Sequence, residues 1–298
     1  MAMEAVRKWI QFFSTFVVNG FWGFPVTRNI YQGPLKVICS PGLNCYSCPA
    51  SIAYCPLGSL QQLLLGIRFS LETGSFYVGT YVVGCMGLFG AVLGRFICGW
   101  ACPFGLFQEL LHKIPSIKWT IPKQLNYGKY FFLALFVVIL PLMAVDDFGF
   151  GSPWFCKYVC PAGTLEAGIP MLLLQPELKS TIGWLYWNKI VILILFMLWS
   201  VVSSRPFCRT TCPLGAFYSF FNKHRLVKLK LNEEKCTKCG ACHKVCPMEI
   251  NFNETPHSPE CISCMRCMTK ACTYGAISLD VAGYSMLDNA LPVKQKSV

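Results

Sequence analysis

The sequence is poor in charged residues. They make up 13% of its 298 residues, whereas soluble domains carry about 25%. Hydrophobic residues account for 54% of the chain. This balance excludes an ordinary soluble domain and predicts a membrane protein.

Histidine is scarce as well, and the common nucleotide-binding motifs are missing. None of the four histidines lies in a long apolar segment, so they cannot supply the paired ligands of a membrane haem. The chain has no G-x-G-x-x-G turn and no P-loop, which leaves nucleotide chemistry unsupported. The net charge of +12 is spread over separate loops, so we expect no nucleic-acid partner.

Four apolar segments are near the length of about 20 residues that crosses a bilayer. They are Trp9–Phe24, Phe76–Phe96, Lys129–Val145 and Ile182–Ser203. A fifth piece, Ser59–Leu71, is shorter and contains Arg68. We interpret it as an interfacial or re-entrant helix, with a further span as the alternative.

Basic residues lie between the second and third segments and after the fourth, whereas the loop after the third begins with Asp146 and Asp147. By the positive-inside rule, the N-terminus, the second loop and the C-terminal part are cytoplasmic. The basic residues concerned are Lys113, Lys118, Lys123, Lys129, Arg205, Arg209, Lys223, Arg225, Lys228 and Lys230.

Cysteine is abundant, with 19 residues. Disulfide-rich secreted proteins are short and polar, so metal or cluster binding is the better interpretation here. The pattern C-P-x-G recurs four times, at Cys55, Cys102, Cys160 and Cys212. With the orientation above, these units alternate between the outer and the inner face. The pattern predicts an α-helical multi-pass membrane domain of about four spans in two parallel halves, plus re-entrant or interfacial helices.

Three of the four units have a second cysteine four residues earlier. Two cysteines at this spacing lie on one face of a helical turn. The proline that follows disfavours further helix, and the glycine is expected to permit a tight turn around an inorganic group. Each unit is thus half a site, and the two inner units together predict one four-thiolate site. Its residues are Cys98, Cys102, Cys208 and Cys212.

The C-terminal part contains the run C-x2-C-x2-C-x3-C-P, the signature of two-cluster ferredoxins, in which the fourth cysteine ligates the other cluster. The predicted ligand sets are Cys236, Cys239, Cys242 and Cys272 for cluster 1, and Cys246, Cys261, Cys264 and Cys267 for cluster 2. Structural zinc is the alternative for any C-x2-C pair, but two interleaved sets favour iron–sulfur. Cys272 is irregular, because its spacing is longer and Thr273 replaces the proline. Leu226–Leu231 and Ala276–Asp280 are predicted to pair as strands.

The outer cysteines leave two alternatives open. One cluster from Cys48, Cys55, Cys156 and Cys160 leaves Cys39 and Cys45 free or paired. Alternatively, Cys39, Cys45, Cys48 and Cys55 hold the cluster, and Cys156 and Cys160 form a disulfide. We favour the first because each half then contributes two ligands. Cys85 is interpreted as a buried apolar cysteine.

Clusters at opposite ends of a hydrocarbon core of about 30 Å would be too far apart for fast single-step electron tunnelling. Re-entrant cysteine loops would bring them closer together. A path across the membrane therefore depends on how deeply these loops enter it.

The motifs "CGWACP" and "CRTTCP" and the dicluster tail resemble those of the membrane-bound polyferredoxins, the family of the NapH quinol dehydrogenase subunit, the NosR membrane part and the CcoG proteins. The resemblance implies three to four [4Fe-4S] clusters and electron transfer in a prokaryotic cytoplasmic membrane, as a subunit of an oxidoreductase complex. It implies a cytoplasmic ferredoxin-like or flavoprotein donor, or quinone, and redox partners at the membrane or its outer face. A CcoG-type assembly or metal-reducing factor is the alternative. The expected domains are a membrane domain at 1–224, a small α+β dicluster ferredoxin domain at 225–282 and a flexible tail at 283–298.

Overall fold

The computed structural model describes residues 2–73, 80–144 and 151–287. The helices are α1 (Ala2–Val18), α2 (Phe24–Thr27), α3 (Pro56–Thr73), α4 (Thr80–Val92), α5 (Phe96–Trp100), α6 (Pro103–Leu111), α7 (Gly128–Phe132), α8 (Leu140–Met143), α9 (Pro161–Gly163), α10 (Ile169–Leu174), α11 (Trp184–Val202), α12 (Pro206–Thr210), α13 (Pro213–Phe221) and α14 (Ala241–Lys244). The 3₁₀ segments are Pro34–Val37, Lys123–Tyr127 and Pro176–Thr181, and the π-helical segments are Leu133–Ile139, Phe155–Val159, Thr164–Gly168 and Cys267–Ala271. The strands are β1 (Val227–Leu231), β2 (Ile277–Val281) and β3 (Tyr284–Leu287).

Two helices in the described ranges are long and apolar enough to cross a membrane, Lys123–Met143 and Trp184–Val202. They correspond to the third and fourth predicted spans. For the second prediction the structure gives the shorter helix Thr80–Val92 of 13 residues, and the beginning of that prediction lies outside the described residues. The fold is therefore mostly helical with a C-terminal ferredoxin domain, and two of the four predicted spans meet the criteria of length and composition.

The first predicted span is displaced towards the N-terminus. Helix α1 covers Ala2–Val18. Arg7 therefore lies inside the helix, whereas the predicted span began after it, at Trp9. Arg7 and Gln11 are fully buried, whereas Trp9 is 69% and Phe13 is 70% exposed. The helix thus presents polar side chains to the protein and aromatic ones to its surroundings.

Glu109 on α6 neutralises the buried end of α1. Its carboxylate lies 2.6 Å from Arg7 and 2.7 Å from Arg205, both fully buried, and 3.2 Å from Arg266 of the ferredoxin domain. Burial opposes the charge of Glu109, but Arg205 and Arg7 outweigh it and hold the pKa of this carboxyl below its usual range. The network therefore joins α1, both halves and the ferredoxin domain.

We expect Glu109→Gln to lower the free energy of unfolding by about 3–5 kcal/mol, because it leaves buried arginines without a counter-charge. Denaturant titration in detergent, followed by tryptophan fluorescence, measures the change. Glu177→Gln is the matched control, because Glu177 is exposed. Equal stability of the two variants would contradict a structural role for the network.

The ferredoxin domain contains an antiparallel sheet in the order β1-β2-β3. Val227 pairs with Val281 and Leu231 with Ile277, which confirms the predicted pairing. The sheet continues beyond residue 282, because Ala282 and Gly283 form a turn with positive φ angles of 53° and 93°. This turn, with two positive φ values, is of the kind that joins adjacent strands, and it leads into β3 where a flexible tail was expected. Residues 288–298 of that tail lie outside the described ranges.

Candidate iron–sulfur centres

The two ferredoxin cysteine sets surround two adjacent cavities. One cavity is lined by all four residues of the first predicted set, and the second cavity by all four residues of the second set. Cys242 lines both. Cys239 is exposed, whereas Cys261 is buried, so the first set lies towards the surface. No three His, Cys, Asp or Glu side chains in the described ranges lie close enough together to bind a single metal ion.

The inner set lies at the contact between the two halves. Cys212 interacts electrostatically with Cys98, Cys102 and Cys208. All four are buried, with 6–8% of their surface exposed. The structure thus brings together the four cysteines of the two inner C-x3-C-P units.

Each C-P-x-G unit begins a helix. Cys102, Cys160 and Cys212 occupy the N-cap position with extended backbone, and the proline follows at the first helical position, where no N–H is needed. The Gly163 N–H donates to the Cys160 sulfur at 3.4 Å, and in the other three units the glycine N–H is directed at the cysteine sulfur three residues earlier without a hydrogen bond of this quality. The pairs are Gly58–Cys55, Gly105–Cys102, Gly163–Cys160 and Gly215–Cys212. The positive end of a helix dipole therefore faces each sulfur and stabilises negative charge there.

The glycines of these units do not form the tight turns that the sequence predicted. Gly163 has an ordinary helical φ of −63°, and none of the four glycines is among the described residues with positive φ. A Cβ on Gly105 would lie 3.1 Å from the guanidinium of Arg205 and 3.0 Å from the carbonyl oxygen of Cys98. The glycine is therefore needed for close approach of the opposite half.

Two buried arginines cross between the halves. Arg95 donates to the carbonyl of Cys208 at 3.1 Å, and Arg205 donates to the carbonyl of Cys98. Each arginine lies three residues before the first cysteine of its own unit, so the inner motif is R-x2-C-x3-C-P-x-G in both halves. The two contacts are reciprocal, since the arginine of each half binds a cysteine carbonyl of the other half, which the sequence repeat alone did not reveal.

A second group of contacts between the halves is made by the residue six positions after the cysteine of each C-P-x-G unit. Gln108 donates to the Cys208 sulfur at 3.1 Å and accepts from the Phe207 amide at 3.1 Å. Gln61 makes the equivalent contacts with Cys156 at 3.1 Å and Phe155 at 3.2 Å. The outer and inner sites are thus built on one plan.

The same position in the second half carries Glu166 and Tyr218. Glu166 accepts from the Cys45 amide at 2.7 Å, and the Tyr218 hydroxyl donates to the Pro41 carbonyl at 3.0 Å. This position was not predicted from the sequence, although aligning the four C-P-x-G units by their cysteines places Glu166 and Tyr218 together with Gln61 and Gln108.

At the outer site the structure places Cys45 in the position for which the sequence favoured Cys48. Cys45, Cys55, Cys156 and Cys160 line one cavity of about 830 Å³, and Cys160 interacts electrostatically with the other three. The Cys48 thiol instead lies 3.7 Å from the Asn19 side chain. The residue at the position equivalent to Cys98 is Ser51, and Cys45 reaches the cavity in its place.

The outer loop extends as far as the inner set. The backbone amide of Leu43 is directed at Cys102, and that of Asn44 at Cys55. Two consecutive residues of the outer loop therefore face one cysteine of the inner set and one of the outer set. A Cβ on Gly42 would lie 3.0 Å from the Cys102 Cα. Cysteines expected at opposite membrane faces are therefore close neighbours.

The ferredoxin domain packs directly on the inner set. Gly99, between Cys98 and Cys102, lies against the Ile262 carbonyl so closely that a Cβ there would overlap it. Trp100 Nε1 donates to the Ser263 carbonyl at 2.9 Å. Because Ile262 follows Cys261 directly, this contact brings the second ferredoxin set against the inner set.

The chemistry of the thiols fits iron–sulfur clusters. Burial raises the pKa of Cys102, Cys156 and Cys246 to about 12. Thiols in such surroundings keep their protons at neutral pH unless a bound metal compensates the thiolate charge. Four soft sulfur ligands per site, with N–H donors directed at several of them, are what a cluster requires.

Comparisons with known proteins agree with this chemistry. A family model described as a 4Fe-4S binding domain matches residues 82–122, 130–172 and 187–232, and a second model of that description matches residues 229–250. Each of the three repeats in the first match contains one complete C-x3-C-P unit.

Relatives are found in archaea and bacteria. An uncharacterised protein of Methanocaldococcus jannaschii is 32% identical over 201 residues, which cover 64% of this chain and 74% of that protein. The methylamine utilization ferredoxin-type protein MauN of Methylorubrum extorquens is 30% identical over 181 residues, 59% of this chain and 57% of MauN. The ferredoxin-type protein NapH of Haemophilus influenzae is 27% identical over 198 residues, 61% of each chain. No solved structure matches.

Proposed function

The chain belongs to the ferredoxin-type polyferredoxin family, and on that premise we propose that it relays electrons between a soluble partner and a site across a membrane. It carries several [4Fe-4S] clusters, each of which exchanges one electron when bound. The proposed ligand sets are Cys236, Cys239, Cys242 and Cys272; Cys246, Cys261, Cys264 and Cys267; Cys98, Cys102, Cys208 and Cys212; and Cys45, Cys55, Cys156 and Cys160.

The observation that supports a relay most strongly is the continuous order of these sets. Cys242 lines both ferredoxin cavities, the Gly99–Ile262 contact joins the second cavity to the inner set, and Leu43 and Asn44 join the inner set to the outer one. Adjacent sets are therefore separated by a few residues, a spacing that permits electron tunnelling. A protein that bound clusters only for stability would not need this order.

The residues around the sets position them and exclude water. Arg95 and Arg205 fix the carbonyl groups of Cys208 and Cys98, and Gln108 orients the Cys208 thiol. Phe207 is fully buried beside them. A dry, preorganised site holds the cysteines in place when the charge of the group they bind changes.

Membrane insertion, proposed here as multi-pass in a prokaryotic cytoplasmic membrane, is supported by the two long apolar helices and by the exposed aromatic face of α1. Intramembrane charges face the protein interior, as Arg7 does. The positive-inside rule places the ferredoxin domain in the cytoplasm. Lys129, Arg205 and Arg209 are buried ion-pair partners, so this orientation depends mainly on the other basic residues of the loops.

The exposed end of the relay is suited to an acidic soluble partner. Cys239 is exposed, and Lys235, Lys238 and Lys244 are exposed around it. Glu233 and Glu234 are exposed beside Lys235, so this surface carries a small positive excess, which favours a negatively charged protein such as a ferredoxin-like or flavoprotein donor at the first set.

Iron and acid-labile sulfide per chain test the proposal on anaerobically purified protein. Four [4Fe-4S] clusters predict about 16 iron atoms per chain. We expect Cys45→Ala to lower this value by about four, and the matched variant Cys48→Ala to leave it unchanged. A wild-type content of about 12 iron atoms would mean that the outer cysteines bind no cluster. A content of about 8 would mean that the C-x3-C-P units are not cluster ligands.

A further inference from the structure

Arg95 reaches beyond the inner set into the ferredoxin domain. Its Nη2 atom donates to the Cys208 carbonyl at 3.1 Å, and its Nη1 atom donates to the Pro259 carbonyl at 3.3 Å and to the Glu260 carboxylate at 2.6 Å. Cys208 belongs to the inner set, and Glu260 directly precedes Cys261 of the second ferredoxin set. One guanidinium group therefore bonds to the backbone of one set and to the residues next to the other.

Asn222, at the C-terminal end of α13, fixes the same segment of the ferredoxin domain. Its side-chain nitrogen donates to the carbonyl groups of Ser258 and Pro259 at 3.1 Å and to that of Cys261 at 2.8 Å. Its side-chain oxygen accepts from the Arg95 backbone amide at 3.2 Å. Asn222 is buried. The position of Arg95 against this segment is thus fixed by both backbone and side-chain contacts.

The charges around Arg95 leave a positive excess. Lys129 forms a second ion pair with Glu260, and Arg95 and Lys129 are both fully buried. Two cations therefore share one carboxylate, and one positive charge remains uncompensated between the two cysteine sets. Charges interact strongly in the interior of a protein, where the effective dielectric constant is low. This excess would stabilise a negative charge added to either flanking set.

Arg205, the equivalent residue of the other inner motif, has different partners. It donates to the Cys98 carbonyl and to the Glu109 carboxylate on α6. Both partners lie in the helical part of the chain. Of the two crossed arginines, it is therefore Arg95 that is bonded next to Cys261, so the two residues offer a matched comparison.

We propose that the charge group of Arg95, Lys129 and Glu260 raises the reduction potentials of the clusters in the inner set and in the second ferredoxin set together. The potential of an iron–sulfur cluster depends on the charge and the hydrogen bonds around it. Each cluster accepts one electron, and the buried positive excess stabilises the reduced form of both. Arg95 is a positioning residue, because it bonds to the backbone of the cysteines. The proposal rests on the proposed relay, which supplies the two clusters.

A redox titration of the full-length, cluster-loaded protein, followed by EPR, tests the proposal. We expect Arg95→Gln to keep the wild-type iron content, since Lys129 still neutralises Glu260, and to lower the midpoint potentials of both clusters. Each shift should correspond to about a tenfold change in the equilibrium constant, or ~59 mV for one electron. Arg205→Gln, the matched control, removes the same charge from the other half and should lower the inner potential alone.

Two cysteine variants assign the signals. The signal that Cys208→Ala removes belongs to the inner cluster, and the signal that Cys264→Ala removes belongs to the second ferredoxin cluster. Failure of the relay itself is read separately, from the iron content of the wild-type protein.

Two results would overturn the proposal. One is an iron-complete Arg95→Gln protein in which the potential of the second ferredoxin cluster is unchanged. The other is an equal shift of that potential in Arg205→Gln. If Arg95→Gln loses iron, Lys129→Gln decides, because it removes one charge of the same group and leaves Glu260 paired with Arg95. A lower potential of the second ferredoxin cluster in this variant supports the proposal, and an unchanged one rejects it.

Discussion

Cys208→Ala should lower the iron content from about 16 to about 12 atoms per chain and disconnect the outer set from the ferredoxin domain. The other three inner thiols are buried and come from two different halves, so no further cysteine of the set remains to complete the site. We expect the EPR signals of the two ferredoxin clusters to persist. Reduction of the outer cluster by a donor acting on the ferredoxin domain should be lost.

Cys48→Ala is the matched control for this variant, since Cys48 is also a buried cysteine but lies outside the four sets. It should retain all clusters and the transfer. Full iron content in Cys208→Ala would show that the two inner units do not share a cluster. Loss of the ferredoxin signals would show that the variant perturbs the whole fold.

Gly99→Ala should slow electron transfer between the ferredoxin domain and the inner set without removing iron. The added Cβ overlaps the Ile262 carbonyl, which belongs to rigid backbone next to Cys261 and cannot move aside as a side chain would. A displacement of the order of 1 Å between reacting groups is expected to reduce the rate by roughly tenfold or more. Stopped-flow reduction of the purified protein, monitored at the inner cluster's EPR signal, measures the rate.

Gly87→Ala is the corresponding control, because a Cβ on Gly87 meets no atom within 4 Å. Its transfer rate should match that of the wild type. Equal rates in the two glycine variants would mean that electrons do not pass through the Gly99–Ile262 contact. A lower iron content in Gly99→Ala would point instead to a damaged inner site.

Motifs with fixed local spacing could be predicted from the sequence. The ferredoxin run, the pairing of β1 with β2 and the membership of the polyferredoxin family are confirmed. The grouping of the ferredoxin and inner cysteines is found in the structure, while their roles as ligands stay predictions. These features depend on residues that are close in sequence or repeated at constant intervals.

Features that depend on packing between the halves could not be predicted. Cys45 reaches the outer cavity because its loop folds back across the molecule, and spacing alone favoured Cys48. The same loop places Leu43 and Asn44 between two sites that topology had put on opposite faces. The hydropathy pattern also placed the start of α1 too late, at Trp9. Arg7 lies within the helix because its charge is balanced by the buried Glu109.

The crossed arginines bear on how the protein arose. A single ancestral unit with the inner motif could have assembled as a symmetric dimer, each copy's arginine binding the other copy's cysteine carbonyl. Fusion of two such units would preserve both contacts within one chain. Since Arg95 now serves Cys208 and Arg205 serves Cys98, a change in either repeat is felt by the other. Substitution of either arginine is therefore expected to disturb the cysteine loop of the other repeat as well as that of its own.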